Sequence, residues 1–218
     1  MASVDGRIQS KRWGLKNPSR HFEAQAAKIP TDGWIVGRKT MQEFSSHAPE
    51  RKVTGVGRIP TTDFVAPHQA KTFAIGIDPQ GLCRWDTGLV AGDHVIMVLT
   101  ERVRSSHLAH LRLAGVSYLF GGKRDVDLAR VLTKLRASFG IRRLRIDGGG
   151  TVNGSFLKAG LIDELSLLLT PVADGTLGTP TVFDAVPGTA PWRAAKLTLK
   201  SVRRLPGGLL WLRYRFQR

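Results

Sequence analysis

Leu144-Arg145-Ile146-Asp147-Gly148-Gly149-Gly150-Thr151-Val152-Asn153-Gly154 decides how this chain is read. Leu144-Arg145-Ile146 has the short, branched character of a strand, and residues from Thr151 to Ala159 carry helical spacing closed by Gly160. The glycines between them let the backbone turn sharply and approach a ligand, while free N–H groups at the helix start point outward. That is an anion site fit for a pyrophosphate. A plain strand-to-helix turn is the alternative. The run is neither G-x-G-x-x-G nor a P-loop ending in Lys-Ser/Thr.

Working outward, short apolar runs alternate with amphipathic stretches. Trp34-Ile35-Val36, Phe73 to Ile77, Val95 to Leu99, Val116 to Phe120 and Leu165 to Leu169 read as strands. Pro18 to Ala27, Lys39 to Phe44, a stretch capped by Ser105-Ser106 and another capped by Asp127 read as helices. Residues 45–70, rich in Pro, Gly and His, read as an irregular excursion, and Leu197 to Phe216 as a hairpin around Pro206-Gly207-Gly208. This repetition predicts an α/β fold, with a mostly parallel central sheet through residue 170, helices on both faces and a C-terminal antiparallel hairpin. With no linker or compositional break, one domain over residues 1–218 is expected.

Ligands in such folds sit at the carboxyl ends of strands. There Gly37-Arg38-Lys39-Thr40 offers a second phosphate-binding turn, with a solvated basic turn as the alternative. Asp5-Gly6 marks a further turn in which Asp5 could meet a polar ligand, or simply end a strand. Trp13 is either a stacking surface or a cover for the core. His107 and His110 lack a third ligand and read as a surface pair, so no metal site is expected. Cys83 reads as a half-buried structural thiol. No catalytic residue is singled out.

Thirty-three Lys+Arg against 17 Asp+Glu give a net charge of +16. Residues 101–145 hold eleven basic and three acidic side chains, half of the excess. Such a field attracts phosphorylated small molecules or nucleic acid. Aromatic residues are only 7%, with no stacking motif, which argues against a nucleic-acid binder. No run is long and apolar enough to span a bilayer, and a lone cysteine fits a reducing cytoplasm.

Ser3-Val4-Asp5-Gly6-Arg7-Ile8, Val36-Gly37-Arg38-Lys39-Thr40 and the segment from Leu144 to Pro171 occur in an order that resembles the riboflavin-biosynthesis pyrimidine reductases. These share the dihydrofolate-reductase-like fold. The resemblance implies NADPH as hydride donor and a ribosylamino-pyrimidine phosphate, such as 5-amino-6-(5-phosphoribosylamino)uracil, as substrate. It gives cofactor roles to Trp13, Gly37, Arg38, Thr40, Gly149, Gly150, Thr151, Val152 and Asn153, and substrate roles to Asp5, Lys28 and Asp147. It also implies a homodimer. The family carries a strand ahead of the Ser-x-Asp-Gly motif, whereas this sequence begins inside that motif. Phe44 stands where the family has an aspartate, and Pro79 where it has a cofactor-contacting serine. A pterin or another small compound as substrate is the alternative within the fold.

Overall fold

The computed structural model describes residues 1–46, 57–185 and 194–217. In chain order the elements are α1 (Pro18–Ala26), β1 (Gly33–Gly37), α2 (Arg38–Met41), β2 (Phe73–Ile77), β3 (Leu89–Val90), β4 (Asp93–Thr100), α3 (Ser105–Leu113) and β5 (Ser117–Gly122). Then follow α4 (Leu128–Phe139), β6 (Leu144–Ile146), α5 (Gly150–Lys158), β7 (Glu164–Leu169), β8 (Leu197–Arg204) and β9 (Leu210–Phe216). They fall into two compact units, residues 31–148 and residues 1–30 with 149–218.

In the unit of residues 31–148, β6, β1, β2, β4 and β5 pair in parallel in that order. The two-residue β3 adds an antiparallel edge pairing to β4 and was not expected from sequence. β2 and β4 are buried almost throughout, as strands covered on both faces must be. Val36, Met41, Ala74, Met97, Leu99, Leu108, Leu111 and Tyr118 form the core. Asp127 caps α4 by accepting from the Arg130 amide at 3.0 Å, and Gly140 at φ 68° ends it.

The expected Ser105-Ser106 cap is corrected. Arg104 is the N-cap, and the Ser105 hydroxyl accepts instead from the Ile59 amide at 3.3 Å. His107 and His110 are buried rather than surface residues, and His110 Nε2 accepts from the Trp85 amide at 3.1 Å. Cys83 is fully rather than half buried, and burial, then the nearby Asp78 carboxylate, push its thiol up. Of the irregular excursion, residues 47–56 lie outside the described residues. Phe64 bridges Tyr118 and Phe120 takes the Asp63 carboxylate, so residues 63–66 are tied to the sheet.

The other unit holds a three-stranded antiparallel sheet in the order β7-β9-β8. The reading that carried the parallel sheet through residue 170 is therefore corrected at β7. The strand zips antiparallel to β9 from Glu164↔Arg215 to Leu169↔Leu210. The apolar alternation of β7 suits either sheet, and only the pairing partner decides which. Residues 2–4 run beside 168–172 through Ala2 N–Leu168 O, Thr170 N–Ala2 O and Val4 N–Val172 O bonds of 2.8–2.9 Å. Leu168, Leu209 and Trp211 form this unit's small core.

Candidate functional site

The glycine run joins β6 to α5. Gly149 is the N-cap of α5, at φ −68° and ψ 171°, and no side chain caps the helix. A Cβ built on Gly149 would meet nothing within 4 Å. The first backbone bond of the helix is Asn153 N to Gly149 O at 3.1 Å, which leaves the preceding amides without intrahelical partners. The space beside Gly149 and these amides fit an anionic group such as a pyrophosphate.

The neighbouring glycines serve a different end. A Cβ on Gly150 would lie 2.1 Å from Asp184 Oδ2, and one on Gly154 would lie 1.9 Å from the Asp184 carbonyl oxygen. Both positions admit only glycine because residues 181–184 are packed onto α5. Asp184 Oδ1 accepts from the Thr181 amide and hydroxyl at 2.9 and 2.7 Å, and the Asp184 amide donates to Gly150 O at 3.0 Å. The Asn153 side-chain amide donates to Val182 O at 2.8 Å. Thr151 is exposed and Val152 half-buried. Thr181 and Asp184 were not picked out from the sequence, since no local motif announces a segment that returns to a helix from far along the chain.

Asp5 has both carboxylate oxygens engaged. Ser3 donates to it at 2.6 Å, and the Asp174 and Gly175 amides donate at 3.0 Å each. The Ser3 hydroxyl first, then those amides, hold its carboxyl well below the usual range. Trp13 Nε1 donates to Asp174, whose carboxyl is lowered by the Thr176 hydroxyl and then by Trp13. Asp5 and Trp13 thus clamp one loop over residues 174–176. Lys28 donates to Gln25 at 3.0 Å and stands 5.8 Å from the Trp211 ring.

In the unit of residues 31–148, Gly37 caps α2 in extended backbone, and Arg38 Nη1 donates to Gln42 at 2.7 Å. Lys39 is exposed and Thr40 half-exposed beside it. Asp147 receives a bidentate fork from Arg145 at 2.7–2.9 Å. Phe44, half exposed, stacks edge-on against Trp34 at 5.5 Å. The Pro79 carbonyl accepts from the Thr100 hydroxyl at 2.6 Å, so backbone fills a role there rather than a side-chain hydroxyl. A cavity of about 400 Å³ opens beside these loops, lined by Gln80, Gly81, Arg84, Arg102, Arg104 and His107 among others. Sequence reading missed it because its arginines come from separate loops. Among the described residues no cluster of three or more metal-ligating side chains occurs.

Residues 1–211 match the RibD C-terminal domain family. The chain belongs to that family. Among curated relatives of this RibD C-terminal domain chain are proteins named 2,5-diamino-6-ribosylamino-4(3H)-pyrimidinone 5′-phosphate reductase. That of Aquifex aeolicus is 30% identical over 87 residues, covering 40% of this chain and 38% of the relative. That of Methanothermobacter thermautotrophicus is 33% identical over 89 residues, covering 41% and 40%. The alignments thus span about two fifths of those relatives' lengths. Among solved structures, a pyrimidine reductase-like protein from Corynebacterium diphtheriae superposes with a TM-score of 0.68 at 17% identity, covering 100% of this chain and 89% of that one. Acinetobacter baumannii RibD gives 0.64 at 17% identity, covering 100% and 56%. The fold is that of the RibD reductase domains, dihydrofolate-reductase-like, with a mostly parallel sheet and a separate antiparallel sheet.

Proposed function

We propose that this RibD C-terminal domain chain is an NADPH-dependent pyrimidine reductase of riboflavin biosynthesis. Its substrate is then a ribosylamino-pyrimidine 5′-phosphate, whose opened, imine-like C1′ accepts a hydride while the nitrogen gains a proton. The observation that carries the reading is the uncapped start of α5 with open space beside Gly149, in a chain matched by the reductase family over residues 1–211. That match also supports reading both units as one reductase domain.

The reduced nicotinamide supplies the hydride, and the protein supplies orientation and charge complementarity. Backbone amides from Gly149 to Asn153 hold the pyrophosphate, and Gly150 keeps α5 tight against Asp184. Gly37, Arg38 and Thr40 contact the cofactor, as does the indole of Trp13. Asp147, with its partner Arg145, is assigned to the pyrimidine, and Lys28 to the substrate phosphate. Asp5 acts by holding residues 174–175. A homodimer and a cytoplasmic location complete the proposal. The exposed edge strand β8, with Leu199 and Val202 about half exposed, supports self-association. No helix among the described residues is long and apolar enough to cross a membrane.

The test offers the ribosylamino-pyrimidine phosphate, with and without its amino-group deamination, and follows oxidation of NADPH. Turnover of either form is expected. Absence of turnover together with absence of NADPH binding sinks the reading, and a sedimentation profile of a lone monomer removes the dimer.

A further inference from the structure

The cavity in the unit of residues 31–148 has walls built to stay in place. Asp78 Oδ2 accepts from the Leu82 and Cys83 amides at 2.6 and 2.7 Å, and the Asp78 amide donates to Val98 O at 2.9 Å. Gly81 sits at φ +65°, where a Cβ would lie 2.7 Å from the His107 ring and 2.8 Å from Val103. The loop after β2 is therefore pressed onto the start of α3. The loop after β4 is fastened by Thr100, whose hydroxyl donates to Pro79 O, and by the Val103 amide on Thr100 O at 3.2 Å.

Into this frame project Arg84 from one loop and Arg102 and Arg104 from the other, with Ser106 at the positive end of α3. No carboxylate is among the lining residues. None of the three guanidiniums has a hydrogen-bond or ion-pair partner among the described residues. Other arginines are matched: Arg145 with Asp147, and Arg213 with Glu164. Three like charges around about 400 Å³ repel one another, and an anion relieves that repulsion. The planar guanidinium fork matches a phosphate better than it matches a single-charge carboxylate in water. The cavity stands at the carboxyl ends of β2 and β4, where α/β sheets bind ligands. β1 ends on the same edge, with Gly37 in register with Ile77.

We propose that Arg84, Arg102 and Arg104 form a phosphomonoester-binding site in this cavity. Resting on the reductase reading, the phosphomonoester has two sources: the 2′-phosphate on the adenosine of NADPH, or the 5′-phosphate of the substrate. Either way these arginines select the phosphorylated ligand over its unphosphorylated counterpart. Under the first source they, more than Arg38 and Lys39, distinguish NADPH from NADH, since Arg38 is already tied to Gln42.

The test is calorimetric binding of NADPH, NADH and ribose 5-phosphate to the full chain and to two double variants. One is Arg102→Ser with Arg104→Ser. The other, Arg130→Ser with Arg136→Ser on α4, removes the same charge away from the cavity. The expected result is a loss of roughly 100-fold for one phosphorylated probe in the cavity variant, in line with two charge-assisted contacts, and little change in the control. Arg84→Ser, on the facing loop, should weaken the same probe. NADPH weakened with NADH unchanged identifies the 2′-phosphate. Ribose 5-phosphate weakened with NADPH unchanged identifies the substrate phosphate. The proposal is overturned if no phosphorylated probe weakens more in the cavity variant than in the control. It is also overturned if NADPH and NADH weaken equally while ribose 5-phosphate does not. In either event NADPH oxidation by the unaltered chain still judges the reductase reading separately.

Discussion

Gly149 and Gly154 share one glycine-rich run and do opposite work. Gly149 has an ordinary φ and open space at its Cβ, so folding does not require glycine there. Gly154 faces the Asp184 backbone at a separation no Cβ can occupy. Gly149→Val should leave the melting temperature within about 2 °C while weakening NADPH binding tenfold or more, because branched carbons would fill the space a pyrophosphate needs. Gly154→Ala should lower the melting temperature by about 5 °C, in line with roughly 1–3 kcal/mol for overpacking against backbone. Thermal melts with parallel NADPH titrations read both. Equal effects of the two substitutions on melting would contradict the division of labour.

Asp147 and Asp5 belong to the same scale. From sequence each was a carboxylate near a strand end with an expected substrate role. The tertiary structure supplies what the sequence could not, the Arg145 fork on Asp147 and the two distant amides on Asp5. Hydrogen-bond partners from positions far apart in the chain are invisible to local spacing.

At the scale of elements, α4 is the clearest case of legibility. Asp127, the helical spacing of Val131 and Leu135 and the closing Gly140 are all local signals, and each does in the structure what its chemistry dictates. Asp127→Ala should destabilise the unit by about 1 kcal/mol, read as a shift of the urea midpoint with unchanged slope. An unaltered midpoint would mean that α4 is held by tertiary packing alone. α3 is the converse. Two serines at its start imitate a cap, yet Ser105 is already inside the helix and bonds to Ile59. His107 and His110, which sequence placed at the surface, are buried because this short helix lies with that face on the sheet. β7 was legible as a strand but not as a member of the antiparallel sheet, since its partner β9 lies more than forty residues on.

At the scale of the whole molecule, the pH response rests on a histidine that the sequence did not single out. His94 is 2% exposed, with Nε2 at 2.7 Å from the Ser117 hydroxyl and its ring stacked on His68 at 4.3 Å. Phe73 and Phe139 close the cluster. Burial, then the neighbouring His68, lower His94 from 6.5 to about 4. Between those values the unfolded chain binds a proton that the folded chain excludes, so stability is full above 6.5 and falls as pH drops toward 4. The full loss is on the order of 3 kcal/mol. Urea midpoints at about pH 7 and about pH 5 should show it, and His94→Leu should flatten the difference. The carboxyls of Asp5, Asp32, Glu164 and Asp174, all lowered, lose their contributions only at more acidic pH. A His94→Leu chain that keeps the slope would assign it elsewhere.

What the sequence by itself determined is local. It marked the strands from their apolar runs, α4 from its cap and spacing, the terminal hairpin from its Pro-Gly-Gly turn, and the glycine run that opens α5. Only the tertiary structure decided that β7 pairs with β9, that Gly150 and Gly154 serve Asp184, and that arginines from two loops surround one cavity. The physical reason is range. Caps, turns and periodicity act over a few residues and leave their mark in spacing, whereas strand pairing, close backbone approach and converging charges join positions whose separation along the chain carries no record of their distance in space.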